Sequence, residues 1–220
     1  MQVTGSKSKS TTTSRLSIRI PSGQSLHREQ PSLAEWNKAV EGVEEVALTL
    51  AGPIVVAAPA VEIAAWDGAE LLQLQGIALH DGDCTAVCEG SEGVGYIARI
   101  SKEVAAAIES WQKGGKRVEL HTPLREAVEV AVAARRRDKN VVLILEDGCC
   151  YAAYAAYAER HRLLYAEVLP LANEAALVNL LALLNKDFEL RRARFELRGE
   201  ESRQYYKCVR SYFGRVKLVK

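Results

Sequence analysis

Residues 117–150 read RVELHTPLREAVEVAVAARRRDKNVVLILEDGCC. Arg117–His121 is short and partly alternating, as a strand is. Thr122 and Pro123 supply an N-cap and a first-turn proline for a helix running to Asp138. Asn140 leads into Val141–Glu146, an unbroken apolar strand. A strand, a helix and a strand with about twenty residues between them read as a crossover unit with two parallel strands.

Toward the N-terminus, Ser101 caps a helix over Lys102–Lys113, which Gly114-Gly115 ends. From Val43 to Ile100 the pattern is strand-like. Val46, Leu48 and Leu50 alternate, and Pro53–Trp66 is apolar. Asp67-Gly68 and Asp81-Gly82 are hairpin signals, and the Gly-rich Gly90–Gly95 precedes Tyr96–Ile100. This predicts an antiparallel meander of about five strands. Ser32 and Glu35 form a capping box for a helix over 33–41. Arg15–Ile20 alternates as a short strand, and residues 1–14 are too poor in apolar groups to order by themselves. A strand on such an arm adds to a sheet edge, in cis or on another subunit. The competing reading of the first 28 residues, Ser/Thr-rich and free of acids, is a mitochondrial transit peptide.

Toward the C-terminus, 149–185 reads as one long helix bent by Pro170. Its half Leu171–Leu184 is apolar on nearly every face, which suits a core helix or an oligomer contact. The last 35 residues are ambiguous. A hairpin is favoured by their β-branched and aromatic residues. A helix over Glu200–Phe213, stopped by Gly214, competes. The expected class is α+β: an N-terminal antiparallel meander, a β-α-β unit, a long bent helix and a basic C-terminal hairpin or helix. Three segments follow: a basic flexible arm (1–31), an acidic body (32–186) and a basic aromatic extension (187–220).

The 220 residues carry 29 bases and 28 acids, a net charge of +1. Residues 1–28 hold five bases and no acid, and residues 186–220 hold eleven bases against five acids. The middle therefore carries −10. Basic ends on an acidic body suit a polyanion partner, or docking on the acidic bodies of neighbouring subunits. Composition excludes a collagen, a coiled-coil rod and a wholly disordered chain. No apolar stretch is long enough for a membrane helix. The five cysteines and the missing signal-peptide core suit a reducing compartment, hence a cytoplasmic protein. A mitochondrial or virion location is the alternative.

The leading site is the tail. Arg191, Arg192, Arg194, Arg198, Arg203, Lys207, Arg210, Arg215 and Lys217 interleave with Tyr205, Tyr206 and Tyr212. Cations suit phosphates and rings suit bases. The plainer reading is a solvated charged face over buried rings. A second candidate is a helical stripe of Tyr151, Tyr154, Tyr157, His161 and Tyr165, more commonly a core feature. In a third, strand ends gather His121, Thr122, Glu146, Asp147, Cys149 and Cys150. Cys149 at a helix N-terminus would be a nucleophile with His121 as base. A metal site at His80, Cys84 and Cys88, with Asp81 and Asp83, is spoiled by its β context. No Walker loop or G-x-G-x-x-G appears, so no cofactor and no metal is assigned.

The leading function is non-enzymatic: a DNA- or RNA-binding subunit of a coat, nucleoprotein or ribonucleoprotein. It would form a homo-oligomer or a multi-subunit assembly through its arm, with no membrane partner. The alternatives are a cysteine enzyme using Cys149 and His121, and a purely structural oligomer.

Overall fold

The computed structural model describes residues 3–4, 15–20, 32–133, 139–156 and 162–219. It is a mixed helix-and-strand protein with several sheets, which is the α+β class. No described helix is long and apolar enough to cross a membrane. The chain divides into two compact units, Met1–Thr122 and Pro123–Lys220.

In the first unit, β1 (Val3–Thr4), β2 (Arg15–Ile20), β3 (Glu45–Leu50) and β7 (Arg117–His121) form one sheet in that order. β2 runs parallel to β3 and β3 to β7, with Ile18 beside Leu48 and Leu48 beside Leu120. The N-terminal strand thus joins a sheet in cis. A second sheet holds β4 (Val55–Pro59), β6 (Val94–Ser101) and β5 (Asp83–Ser91), all antiparallel. Helices α1 (Leu33–Ala39) and α4 (Lys102–Lys113) meet through Trp36 and Trp111, whose rings lie 6.0 Å apart, edge to face. The expected capping box at Ser32 and Glu35 and the Ser101 cap are both present.

The five-stranded meander is corrected to these shorter pieces. Asp67-Gly68 is no hairpin turn. Asp67 accepts the Ala69 N–H at 2.6 Å and starts a helix, α3 (Gly68–Leu74), which follows α2 (Ala60–Ala65). An Asx cap and an Asp-Gly turn use the same side chain, and only the packing of Leu71 and Leu72 into a core selects between them.

In the second unit, β8 (Asn140–Glu146), β9 (Cys149–Ala156) and β10 (Arg162–Pro170) form an antiparallel meander. Two parallel strands, β11 (Arg194–Arg198) and β12 (Val216–Leu218), extend it in the order β10-β9-β8-β11-β12. Helix α6 (Glu174–Phe188) links β10 to β11 through a single 3₁₀ turn at Leu190–Arg192, and α7 (Ser202–Tyr212) links β11 to β12. Val141, Leu143, Leu145, Cys150, Ala152 and Tyr154 face the α6–α7 side, in one core with Phe195 and Phe213. Helix α5 (Pro123–Ala133) packs on β8 and β9.

Three expectations fail here. The crossover unit does not form: β7 and β8 exist but belong to different sheets. The long bent helix does not form either, since 149–156 and 162–170 are strands and only α6 remains helical. A strand covered on both faces loses its alternation, so Cys149–Ala156, buried at nearly every position, resembles a helix in sequence. The tail is not a hairpin. It is strand, helix and parallel strand, with the competing helix realised as α7.

Candidate functional site: a groove between α6 and α7

The catalytic edge was expected at the strand ends of a crossover unit, and that unit does not form. Cys149 starts a strand, so no helix dipole acts on it, and it is 3% exposed. His121 belongs to β7 in the other unit, with Nε2 3.4 Å from Glu119 Oε2. Burial, with Cys149 alongside, pushes the Cys150 thiol far above its ordinary range. Neither cysteine is built as a nucleophile. Of the tyrosine stripe, Tyr151 and Tyr154 are buried strand residues and Tyr165 lies on β10. Tyr157 and His161 fall outside the described residues. Among the described residues no group of three or more His, Cys, Asp or Glu is placed to hold a metal. The His80 N–H instead donates to Asp83 at 2.8 Å, in the Asp81-Gly82 turn.

The β8–β9 connection is a two-residue turn in which Asp147 (φ 52°) and Gly148 (φ 64°) are both left-handed, a type I′ hairpin. The Gly148 N–H donates to Glu201 Oε1 at 2.9 Å, and its carbonyl accepts the Leu171 N–H at 2.7 Å. The β5–β6 tip repeats the geometry with Glu92 (φ 53°) and Gly93 (φ 77°). A phosphate cradle needs several converging N–H groups, and a two-residue turn leaves no room for one. The helix N-termini are also taken. Glu35, Glu62, Glu70, Glu103, Glu126 and Glu174 occupy the first turns of α1 to α6, and Glu201 is the N-cap of α7. An anion approaching any of them meets a like charge already using the helix dipole.

The tail residues separate by burial. On α7, Arg203, Lys207 and Arg210 are exposed on one face, as the i, i+4, i+7 spacing predicts, and Tyr212 is 60% exposed. Tyr205 is buried and Tyr206 half-buried. Arg194 and Arg198 lie half-buried on β11, while Arg191, Arg192, Arg215 and Lys217 are exposed. Arg198 bonds Glu196 at 2.7 Å and Glu126 at 3.0 Å, and Lys217 lies 3.9 Å from Glu196. The tail is part of a folded sheet layer rather than a free extension. Three of the tail rings turn inward, Tyr205 and the pair Phe195 and Phe213, which stack with centroids 4.1 Å apart, while Tyr212 stays exposed.

The fold does bring two of the proposed residues together elsewhere. Arg191 and Tyr212 line a groove of about 300 Å³ with Val178, Leu181, Ala182, Asn185 and Phe213. Helix α6 places the aliphatic wall, since Leu177, Leu181 and Leu184 face the core while Ala182 and Leu183 stay outside. Asn173 caps α6 by accepting the Ala176 N–H at 3.0 Å, which fixes its start. Glu189, left-handed at φ 52°, ends it and turns the chain so that Arg191 returns to the groove. Asn185 Oδ1 is buried and has no hydrogen-bond partner. A buried amide oxygen without a donor costs about 1–3 kcal/mol. The groove therefore offers an apolar floor and one cation. Sequence reasoning missed Val178, Leu181, Ala182 and Asn185. The available signal was the apolarity of 171–184 beyond one helical face.

The fold is similar to that of a Bacteroides thetaiotaomicron protein described as having an actin-like ATPase fold and unknown function. That structure superposes with a TM-score of 0.69 at 14% identity, over 93% of this chain and 90% of that one. A PilM–PilN type IV pilus biogenesis complex gives a TM-score of 0.54 at 14% identity, over 91% of this chain and 80% of that one. No protein-family model matches the chain. No curated protein sequence matches it either. These likenesses overturn the reading of a nucleic-acid-binding coat, virion or ribonucleoprotein subunit. Positive charge near the ends of a chain is compatible with many folds, and here much of the C-terminal part is woven into a folded sheet layer.

Proposed function

We propose that this chain is a non-catalytic assembly module on an actin-like ATPase fold, holding a polypeptide segment of a partner in the α6–α7 groove. The observation that carries it is the convergence of Arg191 and Tyr212 over an apolar floor. A cation beside an apolar floor fits an extended or helical segment with one aliphatic or aromatic anchor. Such a segment would bring a carboxylate to Arg191. The PilM–PilN structure, a multi-protein complex by its description, supports this by analogy of fold. A cytoplasmic setting remains part of the proposal.

The fold's name carries a second reading, nucleotide binding. Among the described residues, the tight hairpin tips and the acids at the helix N-termini argue against it.

A random-peptide display library panned on the full chain, with titration calorimetry of the selected peptides, tests both. Selected peptides are expected to pair an apolar anchor with an acid. Ala182→Arg, which fills the groove from an exposed position, should abolish binding. Arg191→Glu should weaken it about tenfold or more. Peptides indifferent to both variants would sink the groove reading. Binding and hydrolysis of magnesium–ATP in the same instrument would establish the nucleotide reading instead.

A further inference from the structure

We infer that the outer face of the β4-β6-β5 sheet, formed by α2 and α3, docks a basic amphipathic segment of another polypeptide. Helix α2 (AVEIAA) is almost wholly apolar yet has no buried residue. Val61 is 77% exposed, Trp66 54%, Leu74 on α3 68% and Val87 on β5 58%. Val61, Trp66 and Leu74 are carried by the two helices, or by the link between them, that cover the sheet face on which Val87 stands. Gly68 at the start of α3 approaches the Thr85 side chain of β5, two residues from Val87 on the same strand face. Ile63 of α2 lies over Gly95 of β6, where a Cβ would come 2.6 Å from its Cδ1. Isolated exposed apolar residues are ordinary, but four large ones grouped on one face mark a contact surface.

Charge selects the occupant. From residue 39 to 98 the chain has ten acids and no lysine or arginine, and Arg99, opposite Thr85 on β6, is engaged by Asp83 at 3.8 Å and by the Ala78 carbonyl. Glu62 and Glu70 are exposed on α2 and α3 among the apolar side chains, and Asp67 lies between the helices. A surface of this sign repels nucleic acid and anionic lipid headgroups. It attracts lysine- or arginine-bearing segments, and Trp66 adds a face for a cation. An amphipathic helix or strand with aliphatic residues on one side and cations at the margin satisfies both features. This surface lies in the first unit and does not use the α6–α7 groove, so either proposal can fail alone.

The test uses the full chain and two fluorescein-labelled peptides of about 18 residues, one of leucine and lysine, one of leucine and glutamate, both patterned as amphipathic helices. Fluorescence anisotropy should show the lysine peptide binding roughly tenfold or more tightly than the glutamate one. Glu62→Lys with Glu70→Lys, and separately Val61→Ser with Leu74→Ser, should each cut that affinity by about tenfold. All four positions are exposed, so folding should survive, as a melting curve will confirm. Trp66 should become less accessible to acrylamide on binding, whereas Trp36 and Trp111 are already buried. Equal binding of the two peptides, or indifference to both double variants, overturns the inference. So does binding to phosphatidylglycerol vesicles. Self-association lost in the double variants would assign the face to a second copy and overturn the heterologous partner.

Discussion

Gly199 lies against the end of β8 so closely that a Cβ on it would stand 2.4 Å from the Leu145 carbonyl oxygen. That oxygen accepts the Glu201 N–H at 3.0 Å, so the turn after β11 is stitched to the strand beside it. Gly199 also has φ 89°, a conformation that side chains resist. The turn sets where α7 begins and therefore where Tyr212 and Phe213 reach the groove.

Gly199→Ala should lower stability by about 2 kcal/mol or more, combining strain with a clash against backbone that cannot move aside. Denaturant melts should show the midpoint falling at unchanged slope. A neutral result would mean that this turn is not built as described.

The Asp147-Gly148 turn should be nearly as sensitive. Gly148→Val places a β-branched residue at φ 64° and should cost about 1–2 kcal/mol. Asp147→Asn, which keeps the left-handed tolerance, should stay within about 0.5 kcal/mol. Comparing the two melts separates backbone strain from loss of charge.

Tail aromatics should divide sharply. Phe195→Ala, fully buried and stacked on Phe213, should cost about 3–5 kcal/mol. Tyr212→Ser, more than half exposed, should change stability by about 0.5 kcal/mol at most while weakening groove ligands. Thermal melts and calorimetry on the two variants check both parts.

Stability should fall at alkaline pH. Burial raises Cys150, helped by Cys149. Burial likewise raises Tyr154. It raises Tyr165, whose hydroxyl also donates to Glu167 at 2.5 Å, and Tyr205, near Glu201 and Glu174. The folded protein keeps these protons to higher pH than the unfolded chain does. Their contribution is complete below the ordinary thiol range near 8.5 and is lost progressively above it, then above about 10 for the phenols. Melting temperatures should therefore drop from about pH 9 upward. Cys150→Ala should flatten the first part of that drop. A pH-independent melt from pH 8 to about 11 would contradict these burials.

Much of the local structure was readable in the sequence. The capping box at Ser32, the Ser101 cap with its glycine stop, and the strands Arg15–Ile20 and Arg117–His121 use interactions within a few residues of each other. The β8 strand was readable because a continuous aliphatic run needs cover on both faces. Cys149–Ala156 was not: small residues and tyrosines buried on both sides carry no period of two. In the candidate site, the cationic and aromatic character of Arg191 and Tyr212 was visible, but not that they line one groove beside α6.

The sequence by itself determined where many elements begin and end, because caps, glycine stops and strand alternation act through neighbouring atoms. Only the tertiary structure decided which strands pair and which rings turn inward. Arg117–His121 and Asn140–Glu146 look like partners joined by a helix, yet each finds its own sheet. Pairing depends on which apolar faces can be covered together, a sum over distant residues that no local window contains. The same sum leaves Val61 and Trp66 in water while burying Phe195.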